Sequence, residues 1–380
     1  PVTIDTFYTN DEGWLITPEK LEHGTGYSLV EVYAPYGYVV NSEPVYFDVV
    51  QDASTDEGGI AVIEVIKENV AQKGIIKISK TGEVFSSVTE SEGVYQPVYS
   101  VQGLAGAVYE ITAAEDIYTL DGTLRYTAGE VVDTITTDNT GLAKSKPLYL
   151  GKYEIREITA PYGMVLNGET HTAELTYAGQ EIEITETAAS FYNERQKAAV
   201  TLDKILEQNE QFGIGANGEI TAVTFGLFAA EDVTAADGSV IPADGLLEIL
   251  SVDESGYAVC KTDLPFGSFY FKELSTDEHY ILSDKKYPFE FSYMGQDTAI
   301  VEIKANDGAA ISNNLIYGEI HGMKKDENGN ALGGAIIGLF KPDCTEFITE
   351  NAIVTAISAE DGSFSFANVP YGNWVVCEIE

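Results

Sequence analysis

The chain has 380 residues, enough for one to four domains. Its 61 acidic and 21 basic residues give a formal net charge of −40. That argues against nucleic acid or an anionic membrane as partner, because phosphate contacts need clustered Lys and Arg. A hydrophobic content of 44% supplies real cores and excludes a disordered acidic tail. The acidity is read as solubility and mutual repulsion at high surface density, with loose calcium binding as the competing reading.

Short runs of Val, Ile, Thr and Tyr broken by Gly, Asn and Asp turns predict β-structure throughout, and no long amphipathic helix is evident. In chain order, the first element is Tyr27-Ser28-Leu29-Val30-Glu31, followed by the turn Ala34-Pro35-Tyr36-Gly37-Tyr38 and, further on, Asn69. Next comes a strand ending in Lys, Ile76-Lys77-Ile78-Ser79-Lys80. An insertion over Glu83 to Tyr99 follows, then a second strand, Gly106 to Ile111. The aromatic-x-x-x-Glu element returns as Tyr153 to Glu157, with the turn Ala160-Pro161-Tyr162-Gly163-Met164, and Asn193 closes the unit.

The same order then repeats. Val200 to Lys204 is a Lys strand, Ala222 to Leu227 the second strand, and Phe269 to Glu273 the Glu strand. Here the turn departs, as Ser275-Thr276-Asp277-Glu278-His279-Tyr280, before Asn313. A last copy runs from Ile320 to Lys324, through Gly334 to Leu339, to Trp374-Val375-Val376-Cys377-Glu378. Each Asn lies 11 residues before the next Lys, and each Glu 36 to 40 residues before its Asn. Lys80, Lys204 and the four Glu share a strand face with apolar or aromatic residues, since positions i and i+2 or i+4 point the same way. A core-facing Glu is costly unless paired.

Four sandwich-like units follow: 1–70 (partial), 71–197, 198–317 and 318–380 (partial). Very short linkers between them favour a stiff rod. The chain begins and stops in mid-pattern, so it is expected to be an internal fragment.

These residues resemble the Cna B-type, or SpaA-type, domains of Gram-positive pilins and adhesins. The shared pattern is a first-strand Lys, a Gly-Ala strand, a Y-x-x-x-E-x-x-A-P-x-G-Y box and a last-strand Asn. Tyr153 to Met164 matches that box closely, with Met in place of the final Tyr. The resemblance implies tandem all-β, Ig-like or prealbumin-like antiparallel sandwiches with autocatalytic Lys–Asn isopeptide bonds. Position by position it implies Lys80–Asn193 with Glu157 and Lys204–Asn313 with Glu273. Glu31 with Asn69, and Lys324 with Glu378, would find partners outside the chain. Asn314 is an alternative to Asn313, and Lys325 to Lys324. The resemblance also implies an extracellular, cell wall-anchored protein, a pilus shaft or adhesin stalk. Its partners would be neighbouring domains and sortase-linked pilin subunits. The alternative is a module binding a host or matrix ligand through loops, with the Glu83–Tyr99 insertion as the candidate.

The chemistry has a physical basis. A Lys amine attacks an amide only when neutral, and burial lowers its pKa from about 10.4. The same burial favours a protonated carboxyl, which can polarise the Asn carbonyl and pass a proton to the departing ammonia. Folding supplies proximity. No cofactor or metal is required, and the reaction turns over once.

Other signals are set aside. Gly213-Ile214-Gly215-Ala216-Asn217-Gly218 fits G-x-G-x-x-G, but no helix pattern follows and it is expected to be a loop. Asp326 to Asn330 lacks the Glu of a calcium loop and is expected to be a hairpin turn. Cys260, Cys344 and Cys377 form no complete disulfide framework, and nothing in their spacing supports a Cys344–Cys377 bridge. His23, His171, His279 and His321 lack ligand spacing. No motif gives an external enzyme activity a seat.

Overall fold

The computed structural model describes residues 2–50, 60 and 62–379; Pro1 and Glu380 lie outside it. Among the described residues every regular element is a β-strand, apart from single 3-10 turns at Glu219–Ala222, Ala305–Gly308 and Thr349–Asn351. The chain forms two compact units. One comprises Pro1–Lys80, Gly103–Thr159 and Asn167–Phe191, the other Thr81–Gln102, Ala160–Leu166 and Tyr192–Glu380.

In the first unit, Val131–Thr136, Val108–Ala113, Gly151–Thr159 and Thr170–Leu175 lie side by side in an antiparallel sheet. A second layer is built on the strand that begins at Lys73, which pairs with Leu142–Lys144, Leu148–Tyr149 and the strand Ile184–Asn193. Burial alternates along the Lys strand, so Ile76, Ile78 and Lys80 all point inward. Between the layers lie Tyr109, Ile111, Tyr153, Ile155, Leu175 and Phe191.

The second unit repeats this plan. One antiparallel sheet holds Leu246–Ser251, Thr224–Ala229, Gly267–Ser275 and Lys286–Phe291. The other layer centres on Lys197–Leu206. That strand pairs antiparallel with Tyr257–Val259 but parallel with both Ile300–Lys304 and Ile311–Asn313. The expected antiparallel sandwich therefore contains one parallel seam, between its first and last strands. A parallel neighbour needs a long crossover, and here nearly the whole sandwich is that crossover.

A detail of each unit escaped the sequence reading. Gln72 and Gln196 are buried beside loops that read Tyr177-Ala178-Gly179-Gln180 and Tyr293-Met294-Gly295-Gln296. Gln72 donates to the Gly179 carbonyl and accepts the Ala178 N–H, and Gln196 does the same with Gly295 and Met294. Gln180 in turn accepts the N–H of Ala34, and Gln296 that of Ala160, both at 2.9 Å. The Ala-Pro-Tyr-Gly turns are thus gripped by glutamines. Tyr36 lies on Tyr177, and Tyr162 on Tyr293, with ring centroids 4.6 and 4.9 Å apart.

The three cysteines are free. Asp326 closes a turn by accepting the N–H groups of Asn328 and Asn330.

Candidate functional site: buried lysine, glutamate and asparagine

Lys80, Glu157, Asn193, Lys204, Glu273 and Asn313 are each 2% exposed or less, among the few buried polar residues of the chain. The strand register places them. In the Glu strands, Tyr153 and Phe269 fill the core at 0% exposure and set Glu157 and Glu273, four residues on, facing the same way.

The second unit's site is fully drawn. Lys204 Nζ donates to Asn313 Oδ1 at 2.9 Å, to the Ile205 carbonyl at 2.8 Å and to the Ile311 carbonyl at 3.3 Å. Asn313 Nδ2 donates to both Glu273 oxygens, at 2.8 and 2.9 Å, and lies 3.2 Å from Thr276 Oγ1. Glu273 Oε1 is 3.9 Å from Lys204 Nζ. The amide of Asn313 therefore bridges amine and carboxyl, with Glu273 against its nitrogen. The sequence reading had placed the Glu at the Asn carbonyl. Burial pulls the Lys204 amine down to about 8, against the opposing pull of Glu273.

In the first unit, Lys80 Nζ lies 2.9 Å from Glu157 Oε1, both side chains fully buried. Burial lowers the Lys80 pKa, while the hydrogen bond and charge of Glu157 oppose the shift. The Tyr109 ring centroid is 5.8 Å from Lys80 Nζ, and its buried hydroxyl has no hydrogen-bond partner among the described residues. Burial pushes that hydroxyl up, keeping it neutral. Asn193, at the buried end of Ile184–Asn193, belongs to the second unit.

The remaining expected residues form two half-sites. Asn69 Nδ2 donates to Glu31 Oε2 at 2.7 Å. Lys324 Nζ is 2.7 Å from Glu378 Oε2, with side chains 25% and 44% exposed. Asn314 contributes its backbone carbonyl to the Ile281 N–H, and Lys325 is exposed; Asn313 and Lys324 are the residues that meet the Glu side chains.

Two supports of the site were missed. The N–H ten residues after the Glu holds its Oε2 in three copies: Asn41 to Glu31 at 2.7 Å, Asn167 to Glu157 at 2.9 Å, Ser283 to Glu273 at 2.8 Å. A backbone donor has no residue signature. The second support is a glycine behind each lysine. The N–H of Lys80, Lys204 and Lys324 donates to the carbonyl of Gly141, Gly256 and Gly362, each at 2.7 Å. These glycines have φ near +80°, and a Cβ there would meet the lysine carbonyl oxygen at 2.1–2.5 Å. They had a signal: Asp138-Asn139-Thr140-Gly141, Asp253-Glu254-Ser255-Gly256 and Ala359-Glu360-Asp361-Gly362 each end 16 or 17 residues before a Glu of the repeat.

Two-layered β-sandwiches with a buried Lys, Glu and Asn beside the first and last strands define an all-β protein of prealbumin-like architecture. The SpaA prealbumin-like fold domain matches residues 1–61, 99–188 and 318–380, more than half of the sequence, and the chain belongs to that family. It is 28% identical over 143 residues to the trypsin-resistant surface T6 protein of Streptococcus pyogenes, covering 37% of this chain and 25% of that protein. The chain thus spans about a quarter of that relative's length. Among solved structures it is similar to the Bacillus anthracis TIE protein, with a TM-score of 0.54 and 20% identity, over 82% of this chain and 46% of that one. That likeness concerns the fold. BcpA, the major pilin subunit of Bacillus cereus, aligns at 17% identity with a TM-score of 0.31, over 81% of this chain and 88% of that one.

Proposed function

We propose that the chain is a structural segment of a Gram-positive surface protein, a pilus shaft or stalk, whose two complete repeats, 71–197 and 198–317, each carry one self-made isopeptide bond. Lys80 joins Asn193 with Glu157, and Lys204 joins Asn313 with Glu273. Partial repeats at 1–70 and 318–380 carry the half-sites. Membership of the SpaA family and the likeness to a streptococcal surface protein support the setting. In that setting the wider protein is wall-anchored, and other pilin subunits are its partners.

The observation that carries the chemistry is the Asn313 amide held between Lys204 and Glu273. Neutral Lys204 Nζ adds to Asn313 Cγ. The Nζ–Cγ bond forms, the Cγ–Nδ2 bond breaks, and Nδ2 leaves as ammonia with a proton that Glu273 relays from the amine. Glu273 sits at the nitrogen that must be protonated. The preformed contact supplies the proximity, and burial supplies the neutral amine.

Intact mass of the denatured chain tests this. A mass two ammonias below that of the sequence is expected, unchanged by boiling or reductant, and Glu157→Ala and Glu273→Ala should each restore one. A mass equal to that of the sequence overturns the cross-links.

A further inference from the structure

The segment that leaves each Lys strand just past its lysine does not stay with its own strand. Residues 81–102 form a hairpin and residues 207–218 a compact loop, unrelated in sequence. Both belong to the second unit, and both run to equivalent places in it.

The hairpin reaches Leu246–Ser251, the strand beside Thr224–Ala229. Val94 bridges Leu246 in parallel register, and Gln96 Nε2 donates to the Leu247 carbonyl at 2.9 Å. Along its flank Phe85 and Ser86 accept the N–H groups of Ala236 and Asp237, and the Val88 N–H donates to Ser239 Oγ at 2.8 Å. Phe85, Val88 and Tyr95 pack on the core. The loop reaches Val354–Ile357, the corresponding strand beside Ile336–Phe340. Gln211 Nε2 donates to the Ile353 carbonyl, again at 2.9 Å. Phe212 and Ile214, each 6% exposed, join Leu339, Phe366 and Val369 in one cluster.

We propose that the segment following each site lysine is an edge cap for the next repeat. It covers the outer side of an edge strand of that repeat with apolar side chains and satisfies a carbonyl at the start of that strand with a glutamine. An uncovered edge strand offers free N–H and C=O groups to any passing chain. Among the described residues, the capped strands Leu246–Ser251 and Val354–Ile357 each pair with one other strand of their own sandwich. The Glu83–Tyr99 insertion therefore has an occupant for its apolar face within its own chain, and the partner it fits is the following repeat rather than a host ligand.

The test uses the full chain with Ser86–Val98 replaced by an Asn-Gly turn, leaving the facing pair Phe85 and Tyr99 in place. Amide hydrogen exchange across Leu246–Ser251 should accelerate ~10-fold or more, with Gly151–Thr159 unchanged as the folding control. Sedimentation should show self-association of the variant. Gln96→Ala and Gln211→Ala, which disturb less, should speed exchange only in Leu246–Ser251 and only in 353–357, respectively. Unchanged exchange at Leu246–Ser251 in the hairpin variant overturns the proposal. If that variant loses its control protection, unchanged exchange in both glutamine variants overturns it instead.

Discussion

The two complete sites hold the same three residue types at the same depth and wire them differently. At the first, amine and carboxyl face each other directly, at 2.9 Å. At the second they stand 3.9 Å apart, and the asparagine amide lies between them. The turn after the glutamate differs too, Ala-Pro-Tyr-Gly at the first and Ser-Thr-Asp-Glu-His at the second. What stays constant is the backbone: the glycine carbonyl behind each lysine and the N–H ten residues past each glutamate. The turn sequence is thus free to vary, because the carboxyl is held by a main-chain N–H beyond the turn.

That comparison can be broken most sharply by removing the acids. Glu157→Ala leaves Lys80 buried without its charged partner and should cost about 3–5 kcal/mol, the range for breaking a buried pair. Glu273→Ala should cost less, because its carboxyl stands 3.9 Å from Lys204 Nζ, against 2.9 Å between Glu157 and Lys80. Urea unfolding of the two variants, each unable to cross-link at its altered site, decides it. Equal losses would mean that the difference in wiring has no energetic weight.

The next effect is one of pH. Lys204 titrates near 8 in the folded chain, against about 10.4 unfolded. Below 8 the fraction of neutral amine falls ~10-fold per pH unit, and the rate of ammonia loss at the second site should fall with it and level off above 8. Mass spectrometry of chain freshly made by cell-free translation measures this. The stability linkage has a definite sign. Between pH 8 and 10.4 the unfolded lysine holds a proton that the folded one has lost, so a chain without the bond gains stability as pH rises through that window. A rate flat between pH 6 and 8 would contradict the assignment of Lys204 as nucleophile.

The smallest effect concerns Thr276, whose hydroxyl faces Asn313 Nδ2 only at the second site; Ala160 holds the corresponding place in the first. Thr276→Ala should slow second-site bond formation by about fivefold, the equivalent of one neutral hydrogen bond of about 1 kcal/mol. Thr276→Ser should restore it, and the first site should not respond.

Much of this was legible in the sequence. The burial of the Lys, Glu and Asn positions was legible because three separate features kept one order and one spacing. The strand period alone sent Lys80, Glu157 and Glu273 inward. What the sequence did not yield has a common cause. The N–H groups of Asn167 and Ser283, the glycine carbonyls and the parallel seam are main-chain features, and a backbone group looks alike in every residue. Gln72 and Gln196 were passed over because a glutamine in a short linker has no pattern unless its loop partner is known. The Glu83–Tyr99 insertion is a candidate ligand loop on the sequence because loops carry binding function more often than scaffolds do; that its apolar residues pack on a strand some 150 positions downstream has no local signature.

The parallel seam has a mechanical consequence. Because Lys197–Leu206 and Ile311–Asn313 run the same way, a pulling force would enter at the start of the first strand and leave at the end of the last. With Lys204 bonded to Asn313, tension crosses from one strand to the other through that single link. The residues from 205 to 312 lie outside the load path. At roughly 3.4 Å per extended residue, that is on the order of 350 Å of chain that cannot be drawn out, however hard the ends are pulled.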